Sequence, residues 1–239
     1  MTLIGRLSRF LGRTPTEPEA DPAIMRGIGD SVRRKLRADP RIEPHGGKKA
    51  DLFLLRGFLD EAECRRLIAI IDSRIQPSVL FTDKASPRGR TSSTHFFAKE
   101  MPETRALAER IAAVTGIGIP HAEPLQGQRY RRGEEYRHHR DHFLLDRPHW
   151  QTERHRGGQR SWTAMVYLNT PEAGGATAFP ALDLTIAPEP GMLVVWDNMD
   201  RKGRPNRATL HAALPVEAGV KYVVTQWYRQ GEWSLRGRD

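Results

Sequence analysis

Ser161-Trp-Thr-Ala-Met-Val-Tyr-Leu168, Thr177-Ala-Phe179, Leu184-Thr-Ile186 and Met192-Leu-Val-Val-Trp196 are four short apolar or alternating runs within 36 residues. Each has the length of a strand. Between them stand Glu172-Ala-Gly-Gly175 and Pro188-Glu-Pro-Gly191, whose glycines and prolines mark turns. The texture extends outward to residues 125–130, 208–214 and 222–228, with turn clusters at Arg131-Arg-Gly133 and Glu217-Ala-Gly219. Many short strands at this spacing predict a sandwich or barrel. There is no internal repeat.

Upstream the period changes from two to 3.6. After an apolar run of strand length at residues 52–58, Asp60 offers an N-cap with Glu63 at N3, the spacing of a capping box. Leu67, Ile68, Ile71 and Ile75 follow at helical spacing, so a helix is expected over residues 60–75, ended by Pro77. Cys64 falls in its first turn and reads as a small packing residue. A second helix starts at Pro102, carries Leu107, Ile111 and Val114, and stops at Gly116. Helices first and strands later predict a mainly β core with supporting α-helices on one face.

The chain has 239 residues, 38% of them apolar and 18 aromatic, enough for one sizeable core. Mean hydropathy is -0.60, and no run approaches the length of a membrane-crossing helix. A single cysteine excludes an internal disulfide and any zinc cage of thiolates, so a metal would have to be held by His, Asp or Glu. Net charge is +9, of which residues 1–50 carry +5. In that basic stretch Leu3, Leu7, Phe10 and Leu11 recur at helical spacing among arginines, a pattern suited to weak membrane-surface contact by residues 1–13. It has no secretory signal pattern. Residues 14–22 read as a linker, and a basic helix is expected over residues 23–38, stopped before Pro40; the plainer reading of the whole stretch is a frayed tail plus one packing helix. The expected organisation is thus an N-terminal tail and linker, residues 1–50, and one domain, residues 51–239. A cytoplasmic location is expected; the sequence does not address oligomeric state.

The histidines gather in Tyr136-Arg-His-His-Arg-Asp-His-Phe143. On a strand, residues i and i+2 share a face, so His139 and Asp141 project together, with His138 and Arg140 on the other side. His211 stands in a later apolar strand. Two imidazoles and a carboxylate form the facial triad of non-haem Fe(II) sites, with positions left open for co-substrate and O2. A lone His-x-Asp arises by chance, and a lone strand histidine is more often a hydrogen-bonded core residue. Lys221 makes the set more specific. It opens the last long strand, and a lysine inside a barrel calls for a carboxylate partner such as a dicarboxylic co-substrate. Taken alone it reads as a turn lysine reaching solvent. His149 and His155 read as solvated loop residues, and His45, His95 and His121 have no evident partners.

These and further segments together resemble the prolyl 4-hydroxylase group of Fe(II)- and 2-oxoglutarate-dependent dioxygenases. They are Gly57-Phe-Leu-Asp-Glu-Ala-Glu-Cys64, Arg90-Thr-Ser-Ser93, Glu123-Pro-Leu-Gln126, Tyr130-x2-Gly133-x2-Tyr136-x2-His139-x-Asp141 and Gly158-Gln-Arg160. They continue through Tyr167-Leu-Asn169, Gly174-Gly-Ala-Thr-Ala-Phe-Pro180, Pro188-x2-Gly191, His211-x3-Pro215-Val216 and Gly219-x-Lys221-x5-Trp227. The resemblance implies a double-stranded β-helix, or jelly roll. It implies His139, Asp141 and His211 as iron ligands and Lys221 as the partner of the distal carboxylate of 2-oxoglutarate. Tyr130 and Thr177 become hydroxyl donors to that carboxylate, and Trp227 a pocket aromatic beside the iron. Tyr136 and Arg160 fall at peptide-contacting positions, and residues 146–158 where the family has a mobile covering loop. Where the family often has Gly-Gly-Glu-Thr, this chain has Gly174-Gly-Ala-Thr177, and Leu214 stands where many members carry cysteine.

The expected activity is 4-hydroxylation of prolyl residues in a protein or peptide, using Fe(II), 2-oxoglutarate, O2 and ascorbate and releasing succinate and CO2. The same residue set would also serve hydroxylation of a free amino acid or other small molecule. Nucleic-acid or membrane association through the basic tail is a separate reading, in which deleting residues 1–45 abolishes binding and spares catalysis; nucleic acid is not the expected partner. A metal-binding jelly roll without turnover is disfavoured by the intact ligand set and Lys221.

Overall fold

In a computed structural model, residues 21–78 and 89–235 are described. The expected helix at residues 1–13 and most of the linker lie outside them. Three long helices precede the main run of strands: α1 (Pro22–Ala38), α2 (Glu61–Ser73) and α3 (Pro102–Thr115); a one-turn α4 (Trp150–Glu153) comes later. The strands are β1 (Ile42–His45), β2 (Leu52–Leu55), β3 (Gln76–Pro77), β4 (Ser93–Phe96), β5 (Gln126–Arg131), β6 (Tyr136–His139) and β7 (Arg160–Tyr167). They continue as β8 (Ala173–Gly174), β9 (Thr177–Phe179), β10 (Leu184–Ile186), β11 (Leu193–Asp197), β12 (His211–Ala213), β13 (Val216–Ala218) and β14 (Val220–Arg229).

An eight-stranded antiparallel sheet runs β1-β2-β11-β7-β14-β5-β4-β3, and a four-stranded sheet runs β10-β9-β12-β6. Strand alternation divides the core between the two faces of the larger sheet. Leu52, Leu54, Met165, Tyr167, Val194 and Trp196 pack with Phe179 and Ile186 of the smaller sheet. Phe53, Leu55, Ala164, Val166, Leu193 and Val195 pack with Leu36, Leu67, Ile71 and Ile111 of the helices. Burial on both faces is why these strands read as continuous apolar runs rather than as alternation. Two antiparallel sheets with helices backing one of them form the expected jelly roll.

The local signals act as read. Asp60 accepts from the Glu63 N–H (2.7 Å) and Glu63 accepts from the Asp60 N–H (2.9 Å), closing the capping box. The helix ends at Ser73, two residues short of the expected Ile75. Gly116 takes the left-handed conformation (φ 78°) that ends α3, and its N–H bonds Ala112 O. Gly127 on β5 has no room for a side chain: a Cβ there would lie 2.4 Å from Ile71 of α2. Cys64 is buried in α2, and burial raises its thiol pKa.

The boundary expected at residue 50 does not fall at a break in packing. β1 pairs with β2 across it, Ile42 opposite Leu55 and His45 opposite Leu52. Val32 and Leu36 of α1 belong to the core, and the buried Asp51 carboxylate accepts from Arg33 and Arg37 of α1 and from Arg201. The composition shift at residue 50 is a change in surface charge; the apolar face of α1 is continuous with the domain. Removing residues 1–45 is therefore expected to destabilise the fold, in place of the harmless deletion that a free tail would give. Leu36→Ala should lower unfolding free energy by about 2–5 kcal/mol in urea titration. A wild-type midpoint in either variant would show α1 to be an appendage.

Candidate active site

β6 and β12 are neighbours in the smaller sheet, with His211 directly opposite His139. Asp141 lies two residues past His139, beyond the end of β6, and the chain keeps it on the same side. The ligand atoms of His139, Asp141 and His211 lie within 4.8 Å of one another. His139 Nε2 and His211 Nε2 stand 3.7 and 3.9 Å from Asp141 Oδ1. Among the described residues this is the group with the geometry of a metal site.

The main chain and two side chains aim these groups. His139 Nδ1 lies 2.9 Å from Arg137 O, and His211 Nδ1 lies 2.9 Å from Thr209 O. A carbonyl only accepts, so each Nδ1 carries the proton and each Nε2 lone pair faces the cavity. Burial, reinforced by His211, lowers His139 to about 3 and keeps it neutral. Asp141 is buried too, but the Arg160 guanidinium and the Thr163 hydroxyl (2.7 Å) hold it below the usual carboxylate range. Asn198, just past the end of β11, donates to Thr163 (2.9 Å), completing a relay to the carboxylate. A neutral His139 and an ionised Asp141 are in the protonation states that a divalent metal requires of its ligands.

Lys221 enters the same cavity from β14. It is 1% exposed, pairs with no carboxylate among the described residues, and burial lowers its pKa to about 7. Its Nζ lies 5.2 and 5.3 Å from the ring centres of Tyr130 and Tyr167. Tyr130, Thr177 and Trp227 line the cavity as expected. Thr177 Oγ1 accepts from the Tyr167 hydroxyl (2.6 Å), which leaves the Thr177 proton to donate elsewhere. Buried Lys221, facing neither a carboxylate nor bulk solvent, fits an anionic occupant.

Tyr136 also lines the cavity, stacked on His139 at 3.5 Å between ring centres, with burial raising its hydroxyl to about 12. Arg160 is engaged within the protein. It forms a two-pronged pair with Glu123 (2.6 and 2.8 Å), reaches Asp141 O (3.4 Å) and lies over Trp227. Its evident work is to brace the ligand loop.

The segment at residues 146–158, expected to be mobile, is anchored at its far end. Glu153 of α4 pairs with the buried Arg229, Arg229 Nη1 donates to Gly158 O (2.5 Å), and Gly231 N–H reaches Gly157 O (2.9 Å). Gln159 closes the base by binding both N and O of Phe143 (2.6 and 2.9 Å).

Other histidines stay outside the triad. His138 is exposed, and His142 is half-buried and lowered to about 4, chiefly by burial and then by Arg140. His95 and His121, for which the sequence named no partners, each reach a main-chain carbonyl at 3.3 Å, and His45 faces Glu43 at 3.8 Å.

Sequence reasoning missed Arg90, Gln128, Met165, Trp196 and Thr225 in the cavity wall. Alternation would have found several: Lys221, Val223, Thr225 and Trp227 all face in along β14, as do Gln128 and Tyr130 along β5. Arg90 sits on a loop, where no periodicity operates.

The fold and site define a metal-dependent oxygenase of the jelly-roll type. A family model described as the 2OG-Fe(II) oxygenase superfamily matches residues 125–229. The prolyl 4-hydroxylase subunit alpha-3 of Bos taurus is 34% identical over 182 residues, covering 74% of this chain and 33% of its own length. The chain thus spans about a third of such curated relatives. The structure of a viral collagen prolyl hydroxylase from Paramecium Bursaria Chlorella virus-1, described as a 2OG complex, is 30% identical. It covers 76% of this chain and 96% of its own, with a TM-score of 0.57. A Pseudomonas putida prolyl-4-hydroxylase shares the fold at 21% identity, with a TM-score of 0.52, over 86% of this chain and 98% of its own. This chain belongs to the prolyl 4-hydroxylase type of Fe(II)/2-oxoglutarate-dependent oxygenases.

The isolated ammonium of Lys221 has a measurable signature. Its folded-state pKa, about 7, lies below the ordinary 10.5, so between these values the unfolded chain binds more protons than the folded one. Lys221 therefore destabilises the ligand-free fold fully below pH 7 and ceases to do so near pH 10.5. Lys221→Met should melt higher than wild type at pH 7, with the gap closing as pH rises. A constant gap would show Lys221 to be paired or solvated.

Proposed function

We propose that this chain is a 2-oxoglutarate- and O2-dependent hydroxylase that 4-hydroxylates prolyl residues in a protein or peptide, with release of succinate and CO2. The observation that carries this reading is the His139–Asp141–His211 set facing the buried Lys221 in one cavity. Fe(II) on that triad, with 2-oxoglutarate bound, supplies O2 activation and the oxidation of an unreactive C–H bond. The chain's own residues bind, orient and exclude. Lys221 receives the distal carboxylate of the co-substrate, which restores its full charge and removes the cost of its burial. The free Thr177 proton and the Tyr130 hydroxyl donate to the same carboxylate. Trp227 and the Tyr136 ring wall the cavity and limit water. The Thr163–Asn198 relay orients Asp141, and Arg160 with the Thr163 hydroxyl favours its ionised form. The names of the relatives favour a prolyl substrate over a small molecule. Ascorbate would serve as an external reductant that returns the metal to its ferrous state.

Purified protein supplied with Fe(II), ascorbate and 2-oxoglutarate should form succinate, and His139→Ala or Asp141→Ala should reduce this to background. Lys221→Ala should raise the half-saturating 2-oxoglutarate concentration about a hundredfold or more, as expected for a buried charge left unpaired. Peptide mass spectrometry should find a one-oxygen gain on proline. Wild-type succinate formation in both ligand variants would remove the oxygenase reading, and a gain on another residue would remove the prolyl one.

A further inference from the structure

The net charge of the domain falls in the stretch of sequence that carries two of the three triad residues. Residues 51–128 hold ten basic and ten acidic side chains, and residues 161–239 hold eight of each. The net +4 of residues 51–239 therefore resides in residues 129–160, with nine arginines against five carboxylates. That stretch contains His139, Asp141 and the covering segment.

Its carboxylates are already engaged. Asp141 is a ligand held by Thr163, Glu153 pairs with Arg229 and Arg156, and Glu135 pairs with Arg137. Glu134 accepts from the Arg131 N–H, and Asp146 faces Arg147 at 3.8 Å. Cations are left over. Arg140, between His139 and Asp141 in the sequence, is exposed and has no acidic partner among the described residues. Arg207, four residues before His211, is likewise exposed and unpaired. Both are near enough to His142, the residue after Asp141, to oppose its protonation. Arg90 lines the cavity itself, stacked on Tyr136 and bonded, among the described residues, to the hydroxyls of Ser92 (2.8 Å) and Thr94 (3.2 Å).

We propose that the acceptor is an acidic peptide, whose carboxylates on either side of the oxidised residue lie against Arg140, Arg207 and Arg90. The proposal rests on the peptide-hydroxylase reading and adds the chemical class of the substrate. Exposed charges contribute little pair by pair, but a field of one sign around a low-dielectric cleft raises encounter rate and selects against neutral and basic chains. Its effect is sensitive to salt.

Fluorescence anisotropy on the full chain tests this, using two labelled proline peptides that differ only in flanking Glu or Gln. The Glu peptide should bind about tenfold more tightly at low salt and lose the advantage at high salt. Arg140→Glu with Arg207→Glu should abolish or reverse the preference, and the corresponding Gln variants should give an intermediate result, each with a cooperative melt as the check on folding. Equal affinity for the two peptides in wild type overturns the proposal. So does a preference that survives charge reversal, or an oligonucleotide that binds in place of the Glu peptide with higher affinity. Mass spectrometry of the same peptides separates the two readings: tight, charge-dependent binding without oxygen gain sinks the hydroxylase assignment and leaves the acidic surface partner standing.

Discussion

The register between β12 and β6 sets His211 opposite His139, and the geometry of the site follows from it. Strand side chains alternate, so a slip of one residue would turn an imidazole out of the cavity. The register is held from outside the pair. β12 also pairs with β9, whose Thr177 lines the cavity and whose Phe179 is fully buried. The larger sheet faces this assembly with Met165, Trp196 and Val223. A slip would therefore disturb the apolar core along with the ligands, which couples metal geometry to hydrophobic packing.

Charges in this protein divide into those compensated within the fold and those that are not. Asp51, Glu123 and Glu153 are buried, and each is met by arginine from a distant part of the chain. Such groups join α1, the ligand loop and α4 to the sheets, and breaking one leaves a charge stranded in the interior. Lys221 and Arg90 are different: both line the cavity without a carboxylate partner among the described residues. Buried charge with an internal partner braces the fold, and charge without one marks where a ligand belongs.

Much of the fold was legible because its signals are local. Asp60 and Glu63 fix the start of a helix within four residues, Gly116 ends another, and two-sided burial produces the apolar runs that read as strands. The triad was legible because His139 and Asp141 are two residues apart; His211, a histidine in a distant apolar strand, was a candidate third ligand that the family pattern of spacing made specific. Features that depend on long-range packing stayed hidden. In residues 21–50 the helical spacing of Met25, Val32 and Leu36 allowed a packing helix, but the basic composition around it drew the domain boundary at residue 50, on the wrong side of α1. The Glu153–Arg229 tie spans 76 residues, so the segment it anchors read as a free loop. The carbonyls that orient both imidazoles carry no sequence signal, since every residue has one.

Lys221 also bears on how long the chain endures. A ligand that binds only the folded state stabilises it by RT ln(1 + [L]/Kd), and every tenfold rise in occupancy ratio adds about 1.4 kcal/mol. An interior that holds an ammonium without a partner gives a dicarboxylate unusual leverage over that equilibrium. The folded fraction, and with it survival against proteolysis, then becomes a function of the supply of the dicarboxylate. Under the role proposed for Lys221, one side chain would set both affinity for the co-substrate and the abundance of the protein when that co-substrate is scarce.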